Sequence, residues 1–297
     1  MTLNELLGEY VATNTAITSA YTIKLLGGTC KLFSAYLGRE ALVDDLTDAN
    51  LKGYIVHRQS QGKAPATIER EGCKLLTLWR FAAMHALVKP PTIRMARSSP
   101  HIPVAFLRHE IRRLFKAARR AKGEVGGVPN SIFFPALLGL IWDSGERVGA
   151  VRALSRSDID CKTRWVTFKH RKGNGREMMK RMSRPTRRAM RKLLEVHQHE
   201  TPFAHIHLTT CYFHLKSILR DADLPTDRRS MLHRLRRSHA SYLKLAGGSA
   251  QDSLGHSSEA ITVRSYYDPR VTGSRQPSTL LFNPFNWWDR FLGWFSF

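Results

Sequence analysis

Acidic residues are scarce in this chain: 24 Asp and Glu stand against 47 Lys and Arg over 297 residues, a formal charge of +23. A surplus of that size repels itself unless a polyanion compensates it, which points to nucleic acid first and an anionic membrane surface second. Long apolar runs are absent as well. With no stretch of about 18 uninterrupted apolar residues, no membrane span is expected, and Met1 to Tyr10 lacks the basic region and apolar run of a signal peptide. Cysteine is limited to Cys30, Cys73, Cys161 and Cys211, widely spaced and without a C-x-x-C pair. That excludes a disulfide scaffold and reads as reduced thiols in a cytosolic protein. No internal repeat is visible. What is present suffices for a core, since 42% apolar and 9% aromatic residues exclude wholesale disorder. The length argues for two domains. These bounds leave a soluble, cytoplasmic, nucleic-acid-binding protein.

Residues 1 to 88 read as four helices. Leu3, Leu6, Leu7 and Tyr10 share one helix face, and Ser19 can cap a second run through Leu25, Leu26, Leu32, Phe33 and Tyr36, closed at Leu37-Gly38. Thr47 caps a third helix carrying Leu51, Tyr54 and Ile55. Pro65 to Thr67 starts a fourth, with Ile68, Leu75, Leu76, Leu78, Trp79 and Ala82 as its apolar face. Residues 89–103 hold four prolines in fifteen positions, so they read as a semi-extended linker with the basic residues Lys89, Arg94 and Arg97. A basic helix is predicted over Val104 to Lys122, with seven Lys or Arg after Leu107 against the single acid Glu110. Ser131 to Leu154 is the most apolar helical stretch, interrupted by Asp143-Ser144-Gly145-Glu146-Arg147. The period then changes. Trp165 to Phe168 reads as a strand, Gly173-Asn174-Gly175 as a turn and Glu177 to Met182 as a returning strand, because Asn-Gly between two short runs signals a hairpin. Helices resume from Ser183, with Thr209, Thr226 and Ser230 at cap positions. Trp79, Trp142 and Trp165 are read as core.

Five places hold polar groups that a packed core does not require. Arg147 interrupts the apolar helical hairpin, and Lys172 sits at the mouth of the β-hairpin in His170-Arg171-Lys172-Gly173-Asn174-Gly175-Arg176. His233 and Arg236 lie three apart, on one side of a helix. Leu254-Gly255-His256 and Ser265-Tyr266-Tyr267-Asp268-Pro269 complete the set. In this order, and with Ser157-Asp158-Ile159-Asp160 after the first Arg, the residues resemble the tyrosine recombinase (phage integrase) family. Its pattern is a Gly-x-Arg helix, a hairpin Lys, His-x-x-Arg, Leu-Gly-His and a Tyr about ten residues later. His-x-x-Arg alone carries no weight, since His109-Glu110-Ile111-Arg112 copies it within the basic helix. The joint order carries the resemblance.

The resemblance implies a mainly α fold with a small antiparallel β-sheet (α+β) and two domains forming a C-shaped DNA clamp. Residues 1–88 would be the helical, SAM-like core-binding domain, 89–103 the linker, 104–282 the catalytic domain and 283–297 an amphipathic tail helix docking in cis or on a neighbouring protomer. It implies a site-specific recombinase or integrase that cuts and rejoins strands through a 3′-phosphotyrosine. A tyrosine adduct stores the phosphodiester bond energy without ATP. Arg147 and Arg236 would fork onto the non-bridging oxygens and stabilise the transition-state charge. Lys172 would protonate the leaving 5′ oxygen, His233 would assist proton transfer at Tyr266, and His256 would hydrogen-bond the phosphate. The Ser-Tyr-x-Asp-Pro alignment selects Tyr266 as nucleophile, with Tyr267 as the alternative; counting nine residues from His256 lands on Ser265. The acid usual three positions after the first Arg is Ala150 here, and Glu146 could substitute for it.

Duplex DNA is the expected partner, contacted by Arg70, Lys74, Lys89, Arg94, Arg97, Arg171 and Arg176. Lys162 to Lys192 holds thirteen Lys or Arg against the single Glu177, a density that suits phosphate tracking. A homotetramer on DNA, a monomer or weak oligomer in free solution, accessory DNA-bending or directionality proteins, and a nucleoid-associated location follow from the family. No cofactor and no metal are called for. His205, His207, Cys211 and His214 have spacing that could suit zinc but match no familiar zinc module. The alternatives are a non-catalytic DNA-binding accessory protein of the same fold, a topoisomerase-like nicking-closing enzyme and, most remotely, a membrane-surface protein.

Overall fold

A reciprocal cap opens the first helix: Thr2 Oγ1 accepts from Glu5 N at 3.2 Å while Glu5 Oε2 accepts from Thr2 N at 2.8 Å. In the computed structural model the described residues are 1–14, 19–96, 102–169, 177–227 and 231–273. They divide into two units, Met1–Pro100 and His101–Phe297. The first contains α1 (Leu3–Thr13), α2 (Ala20–Leu37), α3 (Asp48–Ser60) and α4 (Pro65–Met84). Thr47 caps α3 by accepting from Asn50 N, and Pro65 sits in the first turn of α4, where its missing N–H costs nothing. Leu3, Leu6, Phe33, Leu51, Leu75, Leu78 and Trp79 are buried together in the core of this unit. One ionic group lies among them. Arg58 donates to Glu71 twice at 2.8 Å and Tyr54 donates to the same carboxylate at 2.8 Å. The following residues return to the unit, since Trp79 Nε1 donates to the Lys89 carbonyl at 2.7 Å and Ile93 N to Asp48 at 3.2 Å.

The second unit runs α5 (Arg108–Arg120), β1 (Glu124–Val125), β2 (Val128–Pro129), α6 (Asn130–Ser144), α7 (Val148–Arg152), β3 (Ile159–Asp160), β4 (Trp165–Lys169), β5 (Glu177–Arg181), α8 (Arg184–Val196), α9 (Leu208–Asp221), α10 (Leu232–Leu245), α11 (Ala250–Leu254), α12 (Glu259–Tyr266) and α13 (Pro269–Thr272). α6 is apolar all round because it is central. It packs against α5, α8 and α10 and buries Phe133, Phe134, Leu137, Leu138, Leu140 and Ile141. β3, β4 and β5 form an antiparallel sheet in that order, with Lys169 opposite Glu177 and Trp165 opposite Arg181. The chain is thus mainly helical with small antiparallel sheets.

Three sequence expectations change. The basic helix begins at Arg108 rather than Val104, because Leu107 is extended (φ −75°, ψ 162°) and serves as the N-cap, its N–H donating to Glu110 Oε2 at 2.6 Å. Trp165 is 39% exposed, not core: strand alternation turns Val166 and Phe168 inward and leaves Trp165 on the other face. Trp79 is buried and Trp142 partly so. Thr209 lies inside α9, and His207 is its cap, its ring accepting from Thr209 N at 3.4 Å. Ser230, the Gly173-Asn174-Gly175 turn and the tail from 283 to 297 lie outside the described residues. Among those described, no helix is long and apolar enough to cross a membrane.

Candidate active site

Gly145 ends α6 in the left-handed conformation (φ 66°), and a Cβ there would run into His239 and Leu254. Only glycine turns the chain at this point. Glu146 and Arg147 follow, Glu146 wholly buried and Arg147 exposed as the N-terminal flanking residue of α7. His233 and Arg236 come from the first turns of α10. Arg236 is 1% exposed, and its contacts define the site. Nη1 donates to the Gly145 carbonyl and lies 3.8 Å from Glu146 Oε2. Nη2 lies 3.4 Å from His256 Nε2, and Nε donates to the Tyr266 hydroxyl at 3.4 Å.

Gly255, also left-handed (φ 65°), ends α11 and delivers His256, whose Nδ1 lies 2.8 Å from Thr262 Oγ1 and whose Nε2 therefore faces Arg236. Tyr266, the last residue of α12, is 6% exposed. Its ring centroid stands 4.8 Å from that of His256 and 5.5 Å from that of His233. Tyr267 packs against the small cluster of Ala240, Ala250 and Leu254, with Lys244 5.9 Å from its ring centre. The fold thus gathers His233, Arg236, His256 and Tyr266 around one guanidinium. The Arg147 charge is close enough to depress the pKa values of His233 and His256.

A sequence model of the phage integrase family matches residues 105–272, more than half of the chain. The chain belongs to that family. No curated protein sequence matches it. In solved structures, this phage integrase chain is similar to a lambda integrase dimer bound to a COC′ core site (TM-score 0.69, 18% identity, 93% of this chain and 79% of that one). It is similar to a fragment of the Tn1549 transposon integrase in complex with a circular intermediate DNA (TM-score 0.70, 12% identity, 90% and 95% covered). A lambda integrase tetramer bound to a Holliday junction matches with a TM-score of 0.67 at 18% identity over 87% of this chain and 78% of that one. At these identities the likeness is one of fold.

Beneath the cluster around Arg236 lies a cation that sequence reading passed over. Lys180, on β5, donates to the Ser144 carbonyl at 2.6 Å and to the Ser253 carbonyl, and its Nζ lies 2.8 Å from Glu146 Oε1. One ammonium therefore ties the ends of α6 and α11, the two turns that carry Arg147 and His256. Burial lowers the pKa of Lys180, and the Glu146 carboxylate opposes that shift. The available signal was strand alternation, since Met178 and Lys180 are the two less exposed positions of β5. His239 was also missed. It donates from Nδ1 to the Trp142 carbonyl at 2.6 Å, and its Nε2 lies 3.0 Å from Ser253 Oγ.

Burial, first, and then the neighbouring cations hold three imidazoles well below their ordinary value. His233 falls to about 4 beside Arg237, Arg236 and Arg147, although one edge of it stays exposed. His256 falls to about 4 beside Arg236 and Arg147, and His239 to about 4 with Lys180 and Arg236 adding to burial. All three are neutral near pH 7.

The remaining predicted residues disperse. Arg70, Lys89 and Arg94 are exposed on the first unit, and Lys74 is half-buried there, donating to Thr29 Oγ1 at 3.4 Å. Arg97, Arg171, Lys172 and Arg176 lie outside the described residues. The zinc-like set does not converge. Cys211 is buried in the core, His214 Nδ1 lies 3.1 Å from Asn130 Nδ2, His207 caps α9, and His205 lies against His197, 4.1 Å between ring centres. Among the described residues no cluster of His, Cys, Asp or Glu could hold a metal ion.

Proposed function

We propose that the chain is a site-specific DNA recombinase that cuts and rejoins strands through a 3′-phosphotyrosine on Tyr266. The observation that carries this reading is the Arg236 guanidinium, which reaches Tyr266 and His256 at 3.4 Å each beside His233. In the reaction the Tyr266 oxygen attacks phosphorus, the bond from phosphorus to the 5′ oxygen breaks, and the phenolic proton passes to the neutral His233. Lys172 supplies a proton to the departing 5′ oxygen. Arg147 and Arg236 fork onto the non-bridging oxygens, where charge accumulates in the transition state, and His256 donates to the same phosphate. Reversal by another strand's 5′ hydroxyl returns the protons and frees the tyrosine, so no external energy source enters.

The basic residues Arg70, Lys74, Lys89, Arg94, Arg97, Arg171 and Arg176 are proposed to track phosphates of duplex DNA. Lambda integrase forms a tetramer on a Holliday junction in a structure of this fold. We extend that assembly to this chain, with accessory DNA-bending or directionality proteins as further partners.

The test uses nicked duplex and, in parallel, supercoiled plasmid, both carrying the ends of the DNA element that encodes the chain, incubated in EDTA with wild type, Tyr266→Phe and Tyr267→Phe. A covalent adduct on a denaturing gel that only Tyr266→Phe abolishes is the expected result. Loss with Tyr267→Phe alone would move the nucleophile by one. No adduct despite tight binding would favour a non-catalytic DNA-binding protein, and relaxation of supercoils without exchange products a nicking-closing enzyme.

A further inference from the structure

Helix α10 carries two stripes. His233 and Arg236 face the site, whereas Arg234 and Ser238, four apart, hold the segment by which the chain enters the second unit, and Ser241, three further along the same stripe, holds the backbone around Tyr267. Ala105 and Phe106, in neither helix nor strand, lie buried against that stripe. Phe106 N donates to Ser238 Oγ at 2.7 Å, and the Arg234 guanidinium stacks 4.2 Å from the Phe106 ring centre. The Ala105 carbonyl accepts from Arg234 at 3.2 Å and from Arg270 at 3.3 Å. Ala105 N donates at 2.7 Å to Asp268 Oδ2, a contact across 163 positions of sequence.

Asp268 is itself buried and holds Arg270 at 2.7 Å. Its own N–H donates to Ser241 Oγ at 3.0 Å, and the Ser241 hydroxyl donates to the Tyr266 carbonyl at 3.0 Å. The backbone on both sides of Tyr267 is thereby pinned to α10, the helix that also carries Arg236. Tyr266 ends its helix two residues before Asp268 starts the next, so without these bonds the tyrosine would sit on an untethered junction.

We propose that Ser241 and Asp268, with the entering segment at Ala105, clamp the backbone of Tyr266 and are positioning residues that hold its hydroxyl in register with Arg236. This rests on Tyr266 being the nucleophile. The mechanism needs no contact between the clamp and DNA. It fixes the oxygen that must meet phosphorus, and an error of about 1 Å in such a placement can cost roughly a hundredfold in rate.

The test is single-turnover cleavage of the same nicked duplex, prebound at saturation, with full-length wild type, Ser241→Ala and Asp268→Asn. Asn remains a good N-cap, so the start of α13 survives, but its amide turns a donor toward Ala105 N or Arg270. The expected result is a rate constant at least tenfold lower for both variants, with DNA affinity unchanged and the final adduct yield preserved. A merely structural role would lower the yield, as a misfolded fraction, and leave the rate constant of the folded fraction alone; that result, or wild-type rates, would overturn the proposal. Should one variant fail to fold, the other still decides it. Wild type forming its adduct on Tyr267, or none at all, would remove the nucleophile assignment and the clamp together, an outcome distinct from a Tyr266 adduct formed at full speed by the variants.

Discussion

Replacing Glu146 by Gln takes the carboxylate from a site where Lys180 lies 2.8 Å and Arg236 3.8 Å away, both well buried. The shape is kept and one negative charge is lost, so two buried cations face each other across a neutral amide. Removing one partner of a buried pair costs about 3–5 kcal/mol. In a folding unit of roughly this size each kcal/mol shifts the melting temperature by about 2–4 °C, so Glu146→Gln should melt about 6–20 °C below wild type. Calorimetry of the full chain measures this directly. The double variant Glu146→Gln/Lys180→Met separates charge from packing. It removes one of the two uncompensated cations and should recover part of the lost stability, the buried Arg236 still facing a neutral amide. Cleavage should not recover with it, because Arg236 still lacks its carboxylate. A Glu146→Gln protein that melts within 2 °C of wild type would refute the reasoning, since the buried charges would then be compensated elsewhere.

Two further outcomes follow from the same region. Because His239 is held near pKa 4 against 6.5 when unfolded, the unfolded chain takes up a proton first. Its contribution is present above about pH 6.5 and is lost as pH falls toward 4, up to about 3 kcal/mol. Thermal melts across that window should show the loss, and His239→Gln should reduce it in part, since His233 and His256 titrate over the same window; an unchanged slope would exclude His239 as a contributor. Gly145→Ala must place a Cβ against His239 and Leu254 in a left-handed backbone. Denaturant melts should show at least about 2 kcal/mol of destabilisation, a large core-type effect.

The helical first unit and the apolar centre of the second were legible because their patterns are local. Leu75, Leu78 and Trp79 repeat at helical spacing, and all are buried. The gathering of Arg236, His256 and Tyr266 was legible through an ordered pattern, since the three residues are separated by 20 and 30 positions from Arg236 in the contacts they make. Lys180 was not, because one lysine in a strongly basic hairpin has no sequence mark that distinguishes buried from solvated. Asp268 likewise looked like part of a tyrosine motif, and its bond to Ala105 depends on a register that no local spacing encodes. Trp165 misled by size: a large ring reads as core, yet strand parity placed it outside.

The two stripes of α10 restrict how this segment can change over generations. An α-helix turns about 100° per residue, so inserting or deleting one residue between His233 and Ser241 would swing every later side chain by that angle. Either the residues that grip the backbone or those that gather around Tyr266 and His256 would then face the wrong way. Length between these positions is therefore fixed even where identity is free, and variants of this helix should differ by exchange of side chains and never by count.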